Sequence, residues 1–400
     1  MLSNDASRAS TPAFSAVVPG LSVLRDVFVN LYYAHPQDQP QGAWVLIDAG
    51  LPGSAGKIRK HAADMFGADT PPTAIILTHG HFDHVGALDG LLAAWPDVPV
   101  YAHPLELPFL TGLSSYPPPD PTVGRGLMAY LSFAYPKHAY NFGSRVQALP
   151  ADGTVPGLPG WRWVHTPGHT FGHVSFFRER DKVLVAGDAF TTVFAESGTA
   201  TFTQKQEVHG PPSYFTPDWD AARASMELLT RMEPQVAATG HGIPMHGEEL
   251  RRQLAAFTPR FDMLARPKVG RYAHRPATAD GGGVTSVPPP LVQPWLKVLA
   301  VAGVGLGVLA LATAGKGGKK GRKKAKRDRS LQGSIPSANQ TNTEHRAWYR
   351  TNAAAYKDEA PAASGSTSAS ANRGEESLSH QRTDHRYSDP NSRRIETQYP

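Results

Sequence analysis

The 400-residue chain contains no cysteine. That absence removes disulfide frameworks, thiolate nucleophiles, Cys-ligated zinc fingers and Cys-held iron–sulfur clusters, so any bound metal must sit on nitrogen and oxygen. Acidic residues are in mild deficit: 34 Asp and Glu against 40 Lys and Arg, a formal net charge of +6. A basic balance invites a nucleic-acid partner, but the excess is local. Residues 316–329 (KGGKKGRKKAKRDR) hold nine Lys/Arg and one Asp, which leaves the rest of the chain at −2. Also missing is a basic N-terminal segment leading into an apolar stretch. Residues 1–20, rich in Ser, Ala and Pro, therefore read as a disordered N-terminus without a signal peptide, and the protein as cytoplasmic.

Apolar residues, at 40%, are sufficient for a sizeable core. Over residues 21–270 short apolar runs alternate with turn residues and amphipathic stretches, the pattern of a single α/β catalytic domain. Strands are expected at Val27–Tyr33, Ala43–Ile47, Ala74–Leu77, Val98–Ala102, Arg162–His165, Val174–Phe177, Lys182–Ala186 and Val236–Ala238. Helices are expected at Ala55–Phe66, Val85–Ala94, Pro217–Met232 and Gly247–Phe257, the third capped by Thr216 with Pro217 in its first turn. Between Pro104 and Pro150 the pattern weakens into an insertion rich in Pro and aromatics, a type of segment that often forms binding loops. There Phe109, Tyr116, Tyr130, Phe133 and Tyr135 could line an acyl pocket, and Arg125 or Lys137 could meet an acidic group. Residues 271–294 read as a Pro/Gly linker, 295–315 as an apolar helix and 316–400 as a basic, then polar, disordered tail.

The chemistry gathers after the strand at Ala74–Leu77, where THGHFDH sets His79, His81, Asp83 and His84 within six residues. Burying three imidazoles and a carboxylate unpaired would be costly, and a cation removes that cost. In an extended loop His79 and His81 point the same way, while Asp83 and His84, at a helix start, can turn toward a second position. One cluster offers too few ligands for two metals. Partners recur beside glycines at other strand ends: His169 in TPGHT, Asp188 in GDA and His241 in TGHG.

These four elements, in this order over residues 78–242, resemble the dinuclear ligand set of the metallo-β-lactamase fold superfamily, in particular its glyoxalase II-like and lactonase-like members. The resemblance covers residues 21–257. It implies an αββα four-layer sandwich, with His79, His81 and His169 on one divalent metal, Asp83, His84 and His241 on the other, and Asp188 bridging. Zinc is the default occupant of a His-rich, Cys-free site, and Fe or Mn accept the same ligands. Asp48, in IDAG, matches a family Asp that orients a ligand histidine, whereas His173 reads as structural rather than ligating. The implied reaction is attack by a bridging hydroxide on a small thioester, ester or lactone, with Asp83 handling the leaving group's proton. Asp188 argues against a true β-lactamase. The lack of a locatable basic helical domain argues against glyoxalase II itself. Two alternatives are a mononuclear iron persulfide dioxygenase of the same fold, in which His84 and His241 do not ligate, and a nuclease gripping RNA through the basic run. The second is disfavoured because the catalytic portion is not basic.

Val298–Gly315 carries no charge over eighteen residues. At ~1.5 Å per residue it would span ~27 Å of a ~30 Å hydrocarbon core. With Trp295 and Lys297 at one end and the basic run at the other, residues 295–329 read as a membrane contact, spanning or shallow. The substrate is expected to be a small molecule, and the oligomeric state is not legible.

Overall fold

The computed structural model describes residues 14–36, 43–124, 126–136 and 139–291. Arg125, Lys137, the apolar stretch 298–315 and the tail lie outside the described residues. Among the described residues no helix is long and apolar enough to cross a membrane.

One sheet has the order β1 (Phe14–Val18), β2 (Leu21–Asp26), β3 (Val29–Ala34), β4 (Val45–Ile47), β5 (Ala74–Ile76), β6 (Val100–Ala102) and β7 (Val146–Ala148). It is antiparallel from β1 to β4 and parallel from β4 to β7. The second sheet is built from β8 (Trp161–His165), β9 (Val174–Arg178), β10 (Val183–Gly187), β11 (Val236–Thr239) and β12 (Met245–His246), in the order β12-β11-β10-β9-β8. Only β10 and β11 run parallel within it. The helices are α1 (Ala55–Phe66), α2 (Phe82–Val85), α3 (Leu88–Ala94), α4 (Leu107–Leu110), α5 (Leu127–Leu131), α6 (Gly198–Thr203), α7 (Trp219–Arg231), α8 (Gly247–Phe257) and α9 (Phe261–Leu264).

The period-two alternation of a strand decides the layering. On the first sheet Leu31, Tyr33, Leu46 and Ile75 pack with Ile58, Ala62 and Phe66 of α1 and with Leu88, Leu91 and Leu92 of α3. On the second, Leu184, Ala186 and Ala237 pack with Ala222, Met226 and Leu229 of α7 and with Leu250, Leu254 and Phe257 of α8. The intervening residues Tyr32, Val45, Ile47, Val183 and Val185 are equally buried. They face the other sheet, and Tyr32 Oη crosses to donate to Thr239 O at 2.7 Å. The result is the expected order of helix, sheet, sheet, helix, in which each buried Leu, Val or Phe contributes ~1.5–3 kcal/mol.

Several local expectations are corrected. Phe14–Val18, within the segment read as disordered, is a strand paired with β2. The strand expected from Val27 begins at Val29, because Val27 takes a positive φ of 63° in a hairpin turn. The helix expected over Val85–Ala94 breaks at Gly86, whose N–H donates to Gly50 O at 2.8 Å. A Cβ at Gly86 would lie 2.3 Å from Pro52 Cδ, so only glycine permits that approach. Asp218 rather than Thr216 caps α7, its Oδ1 accepting from the Asp220 and Ala221 N–H groups. The presumed linker is a packed hairpin, β13 (Thr278–Asp280) and β14 (Gly283–Ser286). Tyr272, Ala273 and Ala277 before it are buried, and Tyr272 Oη donates to Pro118 O at 2.6 Å. Its glycines form the turn, where Asp280 accepts from the Gly282 N–H.

Candidate metal centre

Five C-terminal strand ends converge on one edge of the sandwich. Asp48 follows β4, His79 to His84 follow β5, His169 follows β8, Asp188 follows β10 and His241 follows β11. His79, His81, Asp83, His84, His169, Asp188 and His241 are all buried, none more than 7% exposed. Their ligand atoms fall into three overlapping groups, each within 4.8 Å: His79, His81 and His169; His79, His84 and Asp188; Asp83, His84 and His241. Asp188 lies in the middle. Its Oδ2 is 3.1 Å from His241 Nε2 and 3.4 Å from His169 Nε2, and its Oδ1 is 3.7 Å from His84 Nε2. His81 Nδ1 and His169 Nε2 face each other at 2.9 Å, and Asp83 Oδ2 is 3.5 Å from His241 Nε2.

Most of the outward ring nitrogens are fixed by the fold. Thr78 Oγ1 donates to Asp48 Oδ2 at 2.8 Å and so accepts from His79 Nδ1 at 3.0 Å. Asp48 Oδ2 also accepts from His84 Nδ1 at 2.8 Å. His241 Nδ1 donates to Phe28 O at 2.9 Å, and His169 Nδ1 lies 3.4 Å from Thr216 Oγ1, which itself donates to Pro212 O. With Nδ1 holding the proton, each Nε2 lone pair turns inward. Asp48, held at a left-handed φ of 62°, thus aims two histidines, one directly and one through Thr78. His173 stands behind the cluster: its Nδ1 meets Thr166 Oγ1 at 2.8 Å and its Nε2 accepts the Asp188 N–H at 2.9 Å, so it shapes the Asp188 turn.

Burial, reinforced by neighbouring imidazoles, holds His79 and His169 well below the usual histidine range and His81 at about 3. Burial also acts against charge on His84 and His241, but the carboxylates outweigh it: Asp188, Asp48 and Asp83 raise His84, and Asp188 and Asp83 bring His241 to about 8. Burial works against ionisation of Asp188 as well, yet His241 and His84 hold it well below the carboxylate range. His79 Nε2, His84 Nε2 and Asp188 Oδ1 are buried without a hydrogen-bond partner. Each such atom costs ~1–3 kcal/mol. The neutral His79, His81 and His169 and the ionised Asp188 are ready donors for a divalent cation, whereas His84 and His241, held charged by the carboxylates, would each release a proton on binding one.

Gly240 gives the cluster its room. A Cβ there would sit 2.0 Å from Asp188 Oδ1 and 2.8 Å from His84 Cε1. Gly240→Ala is expected to weaken metal binding at least tenfold in chelator competition, with thermal unfolding little changed. Unaltered affinity would mean that Asp188 can move aside at no cost.

Sequence reasoning missed Glu106. Fully buried just after β6, its Oε2 accepts from the Gly80 N–H at 2.9 Å and from Tyr116 Oη, and its Oε1 accepts from Thr170 Oγ1 at 2.7 Å and the Gly172 N–H at 2.8 Å. It joins the loop carrying His79 and His81 to the loop carrying His169. Thr216, read as a helix cap, is instead the neighbour of His169.

Of the aromatics expected to line a pocket, Tyr116 lies 4.8 Å from His81, and Tyr135 packs on Phe215, itself 4.5 Å from His81. Phe109 is buried behind Tyr116, stacked on it at 4.1 Å. Tyr130 and Phe133, at 45% and 67% exposed, do not line the centre. A small cavity beside His241 is walled by Phe28, Met128, Val193, Ala195 and Tyr214.

Comparison with known proteins follows the same residues. The sequence matches the Metallo-beta-lactamase superfamily over residues 25–241. It is 48% identical over 247 residues to a Bacillus subtilis (strain 168) protein named "Probable metallo-hydrolase YflN", covering 62% of this chain and 92% of that one. It is 30% identical over 180 residues to "Probable metallo-hydrolase YybB" of the same organism, covering 45% and 69%. Among solved structures it is similar to a metallo-beta-lactamase family protein from Thermus thermophilus, at 22% identity and TM-score 0.42, covering 62% and 81%.

Proposed function

The chain belongs to the metallo-beta-lactamase superfamily and is a metallo-hydrolase, and on that premise we propose that it cleaves a small thioester, ester or lactone at a dinuclear, zinc-loaded centre. His79, His81 and His169 would hold one cation and Asp83, His84 and His241 the other, with Asp188 shared. A bound pair of this kind lowers the pKa of water to ~7, which supplies a nucleophile at neutral pH, and it polarises a carbonyl oxygen.

The chain's own residues supply the rest. Thr78, Asp48, Phe28 and Thr216 keep the imidazoles oriented without movement during turnover. Asp83, whose Oδ2 lies 3.5 Å from His241 Nε2 at the edge of the cluster, is the carboxylate placed to take a proton and return it to the departing thiol or alcohol. Phe28, Met128, Val193 and Tyr214 give the approach beside His241 an apolar wall. A bulky anionic leaving group finds no cation among those residues. The observation that carries the reading is the set of buried, inward-facing and unsatisfied atoms His79 Nε2, His84 Nε2 and Asp188 Oδ1.

The test is metal analysis of the purified full chain, paired with a panel of acyl thioesters, esters, lactones and phosphodiesters. The expected result is two metals per chain, mainly zinc, and turnover of uncharged acyl substrates that a chelator abolishes. Oxygen uptake with a persulfide at one iron per chain, or cleavage confined to phosphodiesters, would replace the proposal.

A further inference from the structure

We propose that the outer face of α5 and the helical turn after it (Ser132–Ala134) is a lipid-binding surface, which seats the rim of the metal centre on an anionic phospholipid membrane. This short segment is apolar on two sides. Inward, Ala129 and Ser132 are fully buried, Met128 walls the cavity beside His241, and Tyr135 packs on Phe82 and Phe215. Outward, Leu127 is 61%, Tyr130 45%, Leu131 43% and Phe133 67% exposed. The inner set accounts for how the segment docks on its own domain, and Leu127 and Phe133 of the outer set stay mostly in solvent. Single exposed apolar residues are ordinary; four within seven positions are a patch, and such patches mark contact surfaces.

Charge selects the partner. From Arg125 to His138 the sequence has two cations, Arg125 and Lys137, one further histidine and no acidic residue. Large apolar side chains flanked by basic ones are the composition of an element that lies in the plane of an anionic interface. The length of chain beyond the structure agrees. The basic run begins at Lys316, 25 residues after Leu291, the last described residue. At ~3.3 Å per residue that leaves a reach of up to ~80 Å, ample for both elements to meet one surface. The patch is the back of the wall beside His241, so an apolar substrate dissolved in the bilayer would have a short path to the site.

The absence of cysteine makes the test clean, because one introduced thiol is the only one. Full-length Phe133→Cys, carrying an environment-sensitive fluorophore, is compared with Met263→Cys, exposed on α9. On adding vesicles of phosphatidylcholine and phosphatidylglycerol, the label at 133 is expected to shift to the blue and the label at 263 to stay unchanged. In co-sedimentation the full-length triple variant Leu127→Ser/Leu131→Ser/Phe133→Ser should lose at least tenfold in partitioning, while its thermal unfolding and metal content match the parent. Three results would overturn the proposal: no vesicle binding, binding that leaves label 133 unmoved because the tail alone is responsible, or a dimer in gel filtration that the triple variant dissociates.

Discussion

Asp188→Ala is expected to lower kcat by ~10³-fold or more and to take bound metal from two equivalents toward one, without loss of the fold. The magnitude is that of losing one cation of a pair that would activate water and polarise the carbonyl, worth several kcal/mol. The geometry gives the reason: this carboxylate lies within 3.7 Å of nitrogens from three of the five histidines and belongs with both groups of ligands. No neighbour can replace it, since Asp83 Oδ2 faces only the His241 side, at 3.5 Å.

The metal-free variant supplies a second readout with a definite sign. In the parent, burial opposes charge on His241, but Asp188, assisted by Asp83, outweighs it and brings the group from 6.5 to about 8. A folded pKa above the unfolded value means stability that is fully present below pH 6.5 and gone once the pH passes 8. That is about 2 kcal/mol on a scale of 1.36 kcal/mol per unit. In chelator, Asp188→Ala should therefore be most destabilised near pH 6 and less so as the pH rises through 8, the part that persists above 8 being the coupling to His84, which Asp188 also raises. An equal loss at both pH values would mean that the coupling between Asp188 and the two histidines is not what the aspartate provides.

The parts of this molecule that were legible in the sequence are those written in local pattern. The amphipathic helices α1 and α8 end where their periodicity ends, and the ligands are readable because a polar residue beside Gly after an apolar strand is conspicuous. What was illegible depends on partners far away in the chain. Thr216 looks like a cap next to Pro217, but Asp218 wins that role because its carboxylate reaches two N–H groups of the first turn, leaving the threonine to His169. The hairpin at 278–286 hides behind glycines that also suit a linker. It is settled by contacts with the insertion, such as the Val284 N–H donating to Ser114 Oγ at 3.1 Å. Glu106 carries no local signal at all, since two of its donors are backbone N–H groups 26 and 66 residues away.

That distance makes Glu106→Gln the sharper probe of how the centre is assembled. Each carboxylate oxygen serves one loop: Oε2 takes the Gly80 N–H and Tyr116 Oη, Oε1 takes Thr170 Oγ1 and the Gly172 N–H. A glutamine turned either way presents its NH₂ to two donors of one loop. The hydroxyl there, Tyr116 or Thr170, can turn to accept from it, but the backbone N–H of Gly80 or Gly172 loses its carboxylate acceptor, at ~1–3 kcal/mol, and the loops carrying His81 and His169 lose their charged common anchor. The variant is expected to unfold with roughly 1–3 kcal/mol less stability on that basis. It should also lose affinity selectively at the position of His79, His81 and His169, because Asp83, His84 and His241 have no bond to Glu106. Thr170→Val, which removes one donor and leaves the carboxylate, should cost only ~1 kcal/mol. Cobalt titration followed by its visible spectrum separates the two positions: one should fill as in the parent and the other at least tenfold more weakly. If both fill normally and only the unfolding temperature falls, Glu106 braces the domain and does not set the distance between the two histidine loops.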